Sequence, residues 1–246
     1  MSYLQSILDK YQPQTDVLPV AQAITEELQQ AFPTLSAITV SGSYAKGTAV
    51  SVGDVGTEVD LLLSFAPETS TPKGIYEDIY QYALQRGWMP RQRNVALGVQ
   101  VNGHRIDLIP ARQQAGFQHY HSVYIRKASA WRQTNVEEHI DLVRRSRRTD
   151  EIRLLKIWRT LHVVEFPSFY LEMFIIEALK GRPYDVMENV WYLLGYMRTS
   201  LEIFPVLDPT NPQNLISDTI TALQKQAVAA AAIHSLQAHD WSEVIW

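Results

Sequence analysis

Glu58-Val59-Asp60 and Asp107 are the residues of this chain whose types and neighbours best suit chemistry. Glu58 and Asp60 stand two apart in a run, Val59 to Leu63, that reads as a strand. Period-two alternation puts both carboxylates on one face and turns Val59 and Leu61 toward the core. Asp107 lies between Ile106 and Leu108 in a second β-prone run. If the two strands are adjacent, three carboxylates converge. Anions gathered so closely repel and raise one another's pKa values, and a divalent cation removes that conflict. Oxygen-only ligation suits Mg²⁺, which takes carboxylates together with substrate phosphates. Two such ions activate an attacking hydroxyl and stabilise a leaving pyrophosphate. Mn²⁺ is an acceptable substitute for either.

A second group complements the first. Ala37-Ile38-Thr39-Val40 is a short β-prone run, and Ser41-Gly42-Ser43 follows it directly. Glycine at a strand end lets the backbone turn tightly and approach a phosphate. Backbone N–H groups and the Ser43 hydroxyl can then hold phosphate oxygens, with Lys46 supplying positive charge. Gly47 and Thr48 complete a small flexible loop. Taken singly, an acidic pair in a strand reads as a solvated face, and Asp107 as an ion-pair partner of Arg105. The ordered combination is what points to a phosphate-transfer site. Asp54, in the turn-like stretch Gly53-Asp54-Val55-Gly56, is a rival to Glu58 as the first ligand.

The elements that must position these groups can be read from periodicity. Tyr3-Leu4 and Ile7-Leu8 have helical spacing. A helix from about Pro19 to Phe32 places Val20, Ile24, Leu28 and Phe32 on one face. Tyr76 to Arg86 is a helix closed by Gly87. Val95 to Val101 and His104 to Ile109 flank Asn102-Gly103, the favoured two-residue hairpin turn, and Pro110 is expected to end the second strand. From about Val136 the pattern turns helical, with a break near Thr149. It continues through Phe169–Leu179, Val186–Leu201 and Leu215–Ala232. Strands first and helices second predict an α+β architecture: a catalytic lobe over residues 1–130 with a mixed sheet and flanking helices, and a helical lobe over 131–246. The N-terminal helices are free to pack on the second lobe, and the active-site cleft is expected between the two.

The stretch Ser41-Gly42-Ser43-Tyr44-Ala45-Lys46-Gly47-Thr48-Ala49, with Glu58-Val59-Asp60-Leu61 and Arg105-Ile106-Asp107-Leu108-Ile109-Pro110, resembles the polymerase-β-like nucleotidyltransferases. Within that superfamily it is most similar to the group of oligoadenylate synthetases, bacterial cyclic-oligonucleotide synthases and archaeal-type CCA-adding enzymes. Trp131 to Asn135 with His139, Arg153 to Trp158, Pro167 to Glu172 and Asp208 to Asn214 extend the resemblance to about residues 40–215. The resemblance implies that Glu58 and Asp60 bind both metal ions. Asp107 would bind one and help deprotonate the acceptor. Gly42, Ser43 and Lys46 would hold the triphosphate from one lobe. Lys156, Ser168 and Tyr170, with Thr134 and His139, would hold it from the other. Glu58 departs from the commoner aspartate at the first ligand, although its longer side chain can still reach.

The bulk properties fit this reading. No cysteine is present, which excludes disulfides, thiolate metal sites and cysteine nucleophiles. No apolar run approaches the roughly 20 residues of a membrane span. The start lacks a basic flank and apolar stretch, so a cytoplasmic protein with no membrane partner is expected. The net charge of −4 confines any polyanion site to local patches such as Arg144-Arg145-Ser146-Arg147-Arg148 or Arg86, Arg91 and Arg93. These read either as solvated faces or as a path for RNA or a growing oligonucleotide. Three functions stay open on sequence alone. One is nucleotide-to-nucleotide transfer from nucleoside triphosphates, ATP first among them. The second is template-independent addition to an RNA or tRNA 3′ end, and the third an inactive nucleotide-binding module.

Overall fold

The computed structural model describes residues 2–53, 58–201, 203 and 205–246, without the side chain of Gln118. Asp54, with the rest of 54–57, lies outside the described residues. Contacts divide the chain into two units: Gln14–Gly47 with Gly56–Asp141, and Met1–Pro13 with Thr48–Val55 and Leu142–Trp246. The boundary in the second half therefore falls at Asp141/Leu142, whereas the sequence expectation drew it at 130/131, and residues 1–13 group with the helical unit.

The first unit is built on a seven-stranded sheet. Its strands are β1 (Leu35–Ser41), β2 (Val59–Phe65), β3 (Arg91–Gln92), β4 (Leu97–Val101), β5 (His104–Gln114), β6 (Phe117–Ile125) and β7 (Ala130–Thr134). β1 runs antiparallel to β2, and β2 parallel to β5. β4 joins β5 on its other edge, and β3 follows β4. Beyond β4, the same strand β5 pairs with β6, and β6 with β7.

Alternation along β2 and β5 decides what each face carries. Val59, Leu61, Leu63 and Phe65 join Ile106 and Leu108 under two helices, Val17–Ala31 and Pro72–Gln85. Leu28 and Ile79 from those helices are fully buried there. Each such side chain is worth about 1.5–3 kcal/mol relative to exposure, so this face pins the register of the central strands. The opposite face then receives Asp60, Leu62 and Ser64 from β2 beside Asp107, Ile109 and Ala111 from β5.

Local signals explain most boundaries. Asn102 (φ 49°) and Gly103 (φ 81°) both adopt the left-handed region that the tight hairpin turn requires. Thr71 caps the Pro72–Gln85 helix through its side chain, 3.1 Å from the Gly74 N–H, with Pro72 in the first turn. Two expectations are corrected. Pro110 does not end β5, which runs to Gln114. It sits at a joint where pairing with β4 has ended at Leu108 and pairing with β6 begins at Ala111, a strand position that can forgo a donor. Glu58 precedes β2 rather than lying within it. Gly42-Ser43 opens a short helix, Gly42–Lys46, closed by Gly47 at φ 73°.

The helical unit is formed by Tyr3–Lys10, Thr149–Leu161, Ser168–Ala178, Val186–Ser200, Ala222–Ser235 and Trp241–Val244, with the end of Val136–Ser146. The predicted helix break near Thr149 is made by Arg147, at φ 55°. The Leu215–Ala232 expectation is corrected. Ile216–Thr219 forms a 3₁₀ turn, and the helix starts at Ala222 behind a Thr221/Gln224 capping box. Tyr3 and Tyr11 donate hydroxyl hydrogen bonds to the carbonyls of Ile245 (2.8 Å) and Trp246 (2.6 Å), tying the two ends of the chain together.

Candidate active site

The polar row begins at the register of the sheet. Ser41 pairs with Asp60, Asp60 with Asp107, and Asp107 with Gly98. Residues directly opposite in adjacent strands project to the same side, so Asp60 and Asp107 are neighbours on the face away from the helices. Gly42 enters the row from the end of β1. Its φ is +60°, and a Cβ placed on it would lie 1.8 Å from Asp60 Oδ2. The glycine anticipated as a phosphate-approach residue thus has a nearer function: only a residue without a side chain leaves room for the Asp60 carboxylate. Gly98 plays a similar part on the other side, where a Cβ would meet Asp107 Oδ1 at 3.2 Å and Arg93 Nε at 3.1 Å.

Glu58 reaches the row through an arginine. Arg93 donates two hydrogen bonds to it, Nη1 to Oε2 at 2.8 Å and Nη2 to Oε1 at 2.7 Å. The same Nη1 lies 2.9 Å from Asp107 Oδ2. Arg105 approaches Glu58 Oε1 at 3.4 Å and also acts by charge on Asp107. Among the described residues, no three acidic, histidine or cysteine side chains stand ready to hold a metal. The convergence expected from the sequence is therefore corrected in one respect. Asp60 and Asp107 adjoin, while Glu58 and Asp107 share a guanidinium.

Burial pushes the Asp107 carboxyl up to about 7 against the lowering charge of Arg93, with the anions of Glu58 and Asp60 adding to the rise and Arg105 opposing it. For Glu58 partial burial also works against the charge, but the hydrogen bond and charge of Arg93, with Arg105, hold its carboxyl below the usual range. Buried carboxylates that need a guanidinium beside them form a cation-accepting site with hard oxygen donors. That donor chemistry fits Mg²⁺ or Mn²⁺, because one or two carboxylates suffice when phosphates complete the shell.

The other expected contacts are distributed differently. Ser43 and Lys46 lie on the short helix that begins at Gly42, with Lys46 buried. Thr134 ends β7, opposite His121 in β6, and His139 is buried on the Val136–Ser146 helix. In the helical unit Lys156 is only 3% exposed. Its Nζ donates to Glu172 Oε1 at 2.6 Å and to Thr48 Oγ1 at 2.9 Å. The Thr48 hydroxyl donates in turn to Glu172 Oε1 at 3.1 Å. These three side chains form a buried polar triad. Ser168 Oγ accepts from Arg159 Nη1 at 3.1 Å. Tyr170 is fully buried between Phe166 and Phe174. Asp208 organises its own turn, accepting from the Thr210 N–H and hydroxyl, both at 2.9 Å.

Sequence reasoning missed Arg93, which it grouped with Arg86 and Arg91 as a surface cluster. Arg86 belongs to another pair, with Glu27, and the register that brings Arg93 over Gly98 is not visible in local spacing.

Known proteins give a consistent picture. The sequence model for the Second Messenger Oligonucleotide or Dinucleotide Synthetase domain matches residues 2–146. The chain is 22% identical over 243 residues to the cyclic AMP-AMP-AMP synthase of Escherichia coli (strain MS 115-1), covering 81% of this chain and 74% of that one. Its fold is similar to CdnC in the E. coli MS115-1 CdnC:HORMA-deltaN complex, with a TM-score of 0.76, 17% identity and coverage of 98% and 95%. It is also similar to Bradyrhizobium diazoefficiens CdnG in complex with GTP, with a TM-score of 0.77, 13% identity and coverage of 96% and 89%. With the family model spanning more than half of it, the chain belongs to the Second Messenger Oligonucleotide or Dinucleotide Synthetase domain family and is a nucleotidyltransferase of the polymerase-β-like superfamily.

Proposed function

We propose that this enzyme transfers a nucleoside monophosphate from a nucleoside triphosphate to a hydroxyl of a second nucleotide, making an oligonucleotide messenger and releasing pyrophosphate. The observation that carries the reading is the pairing of Asp60 with Asp107 across β2 and β5, with Glu58 joined to Asp107 through Arg93. Relatives point the same way. The E. coli MS 115-1 relative is named for making a cyclic AMP trimer, and CdnC from the same strain was solved with ATP.

Glu58, Asp60 and Asp107 would hold the divalent ions. Mg²⁺ bound there would acidify the acceptor hydroxyl and offset charge on the leaving pyrophosphate. The protein's own groups do the rest. Asp107 takes the proton from the acceptor hydroxyl. The acceptor oxygen bonds to the α-phosphorus as the α–β bridging bond breaks, and pyrophosphate leaves with the bonding pair. Ser43 and Lys46 hold the triphosphate beside Asp60 by hydrogen bond and charge. Gly42 keeps the Asp60 carboxylate from being pushed aside.

The test incubates the purified protein with Mg²⁺ and labelled triphosphates, then resolves phosphatase-treated products by chromatography. A phosphatase-resistant, nucleotide-only product supports the reading. Product seen only when RNA is supplied replaces it with transfer to an RNA 3′ end. Asp60→Ala should lower the rate by roughly 10³-fold, the scale expected when stabilisation of developing charge is removed. An unchanged rate in that variant removes the site.

A further inference from the structure

Arg93 occupies the position in which a cation is most needed. Its guanidinium holds both oxygens of Glu58, at 2.7 and 2.8 Å, and one oxygen of Asp107 at 2.9 Å. Asp60 adds its charge to the same field. The backbone beneath is fixed from three sides. The Arg93 N–H donates to the Ala96 carbonyl at 2.9 Å, and its own carbonyl accepts from Tyr76 Oη at 3.1 Å and Arg126 Nε at 3.2 Å. Gly98 keeps the path of the side chain clear. The root is therefore rigid, whereas the side chain itself remains 46% exposed and can swing outward.

From this arrangement we infer that Arg93 is an internal counter-cation, which neutralises Glu58 and Asp107 in the metal-free enzyme and is displaced when a divalent ion binds them. A guanidinium seated against Glu58 and Asp107 repels a divalent ion approaching the same carboxylates, because two cations then compete for one set of anions at short range. Arg93 thereby sets the ion concentration at which the site fills, and offsets the repulsion between the carboxylates until then. The inference rests on the proposed reading of Glu58, Asp60 and Asp107 as metal ligands.

The experiment measures Mn²⁺ binding without nucleotide, by the electron paramagnetic resonance signal of free Mn²⁺, for the wild type, Arg93→Ala, Arg93→Lys and Asp60→Ala. Arg93→Ala should bind Mn²⁺ about tenfold more tightly or better, the factor that one charge-assisted hydrogen bond represents. Arg93→Lys, which can pair with one carboxylate at a time, should fall between it and the wild type. Its melting temperature should also rise more on adding Mn²⁺ than that of the wild type. Unchanged or weaker binding in Arg93→Ala, with Asp60→Ala still losing binding, overturns the inference and leaves the metal site standing. Indifference of Mn²⁺ binding to Asp60→Ala overturns the metal-site reading itself, and this inference with it. Should Arg93→Ala unfold without metal, recovery on adding Mn²⁺ supports the inference. Failing recovery, tighter binding by Arg93→Lys supports it and equal binding overturns it.

Discussion

Gly42 and Asp60 exclude any side chain between them: a methyl group on Gly42 would stand 1.8 Å from Asp60 Oδ2 and 2.5 Å from its Cγ. The contact cannot be relieved by turning the Gly42 backbone, whose φ of +60° already disfavours other residues. Gly42→Ala must therefore push the Asp60 carboxylate out of its row with Asp107. Displacement of a catalytic group by about 1 Å can cost on the order of 10²-fold in rate. We expect Gly42→Ala to lose at least that factor in pyrophosphate release while still melting cooperatively by circular dichroism. Near-wild-type turnover would show that Asp60 need not stay where it is.

Lys156 and Glu172 test a different assignment. Their side chains are 4% and 2% exposed, and Thr48 bonds to both. Removing one partner leaves a buried charge uncompensated, which costs roughly 3–5 kcal/mol, whereas replacing both with apolar groups can be neutral. Lys156→Met should accordingly be strongly destabilised in urea, and Lys156→Met with Glu172→Leu should recover much of the loss. If Lys156 acted chiefly on a triphosphate, the double variant would remain stable but show a sharply raised KM. A raised KM without any loss of stability in the single variant would assign Lys156 to phosphate binding.

Tyr170 gives the smallest expected effect. Its hydroxyl is buried with no hydrogen-bond partner, and burial pushes its pKa up to about 12. An unpaired buried hydroxyl costs about 1–3 kcal/mol, so Tyr170→Phe should be neutral or more stable. Its KM for nucleotide should match the wild type. A several-fold rise in KM would place the hydroxyl on the substrate after all.

These outcomes bear on what could be read from the chain beforehand. The hairpin was legible because Asn102-Gly103 is a local backbone signal, and the Asp60–Asp107 row because apolar neighbours dictate the face. β6 escaped notice because Phe117 to Ile125 mixes aromatic, histidine and polar residues without clear alternation. The surroundings of Lys156 and Tyr170 depend on how helices pack, and a lysine that pairs with Glu172 carries no local mark distinguishing it from one that meets phosphate. Arg93 was misread for the same reason: its partners come from segments distant in sequence.

His121 supplies a pH-dependent prediction away from the row. Its Nε2 lies 2.7 Å from Ser64 Oγ, and the ring is buried. Burial, aided by the charge of His119, holds its pKa below the ordinary 6.5 despite the hydrogen bond to the His119 backbone and the charge of Glu137. The unfolded chain therefore binds this proton more readily than the folded one. Stability from this group is complete above about pH 6.5 and is lost as the pH falls toward the depressed folded value. One proton limits the slope to about 1.4 kcal/mol per pH unit. Denaturation midpoints of the wild type should drop across that window, and the difference from His121→Gln, which keeps a donor for Ser64 without titrating, should isolate the effect. Parallel pH profiles for the two proteins would mean that His121 charges as easily in the fold as out of it.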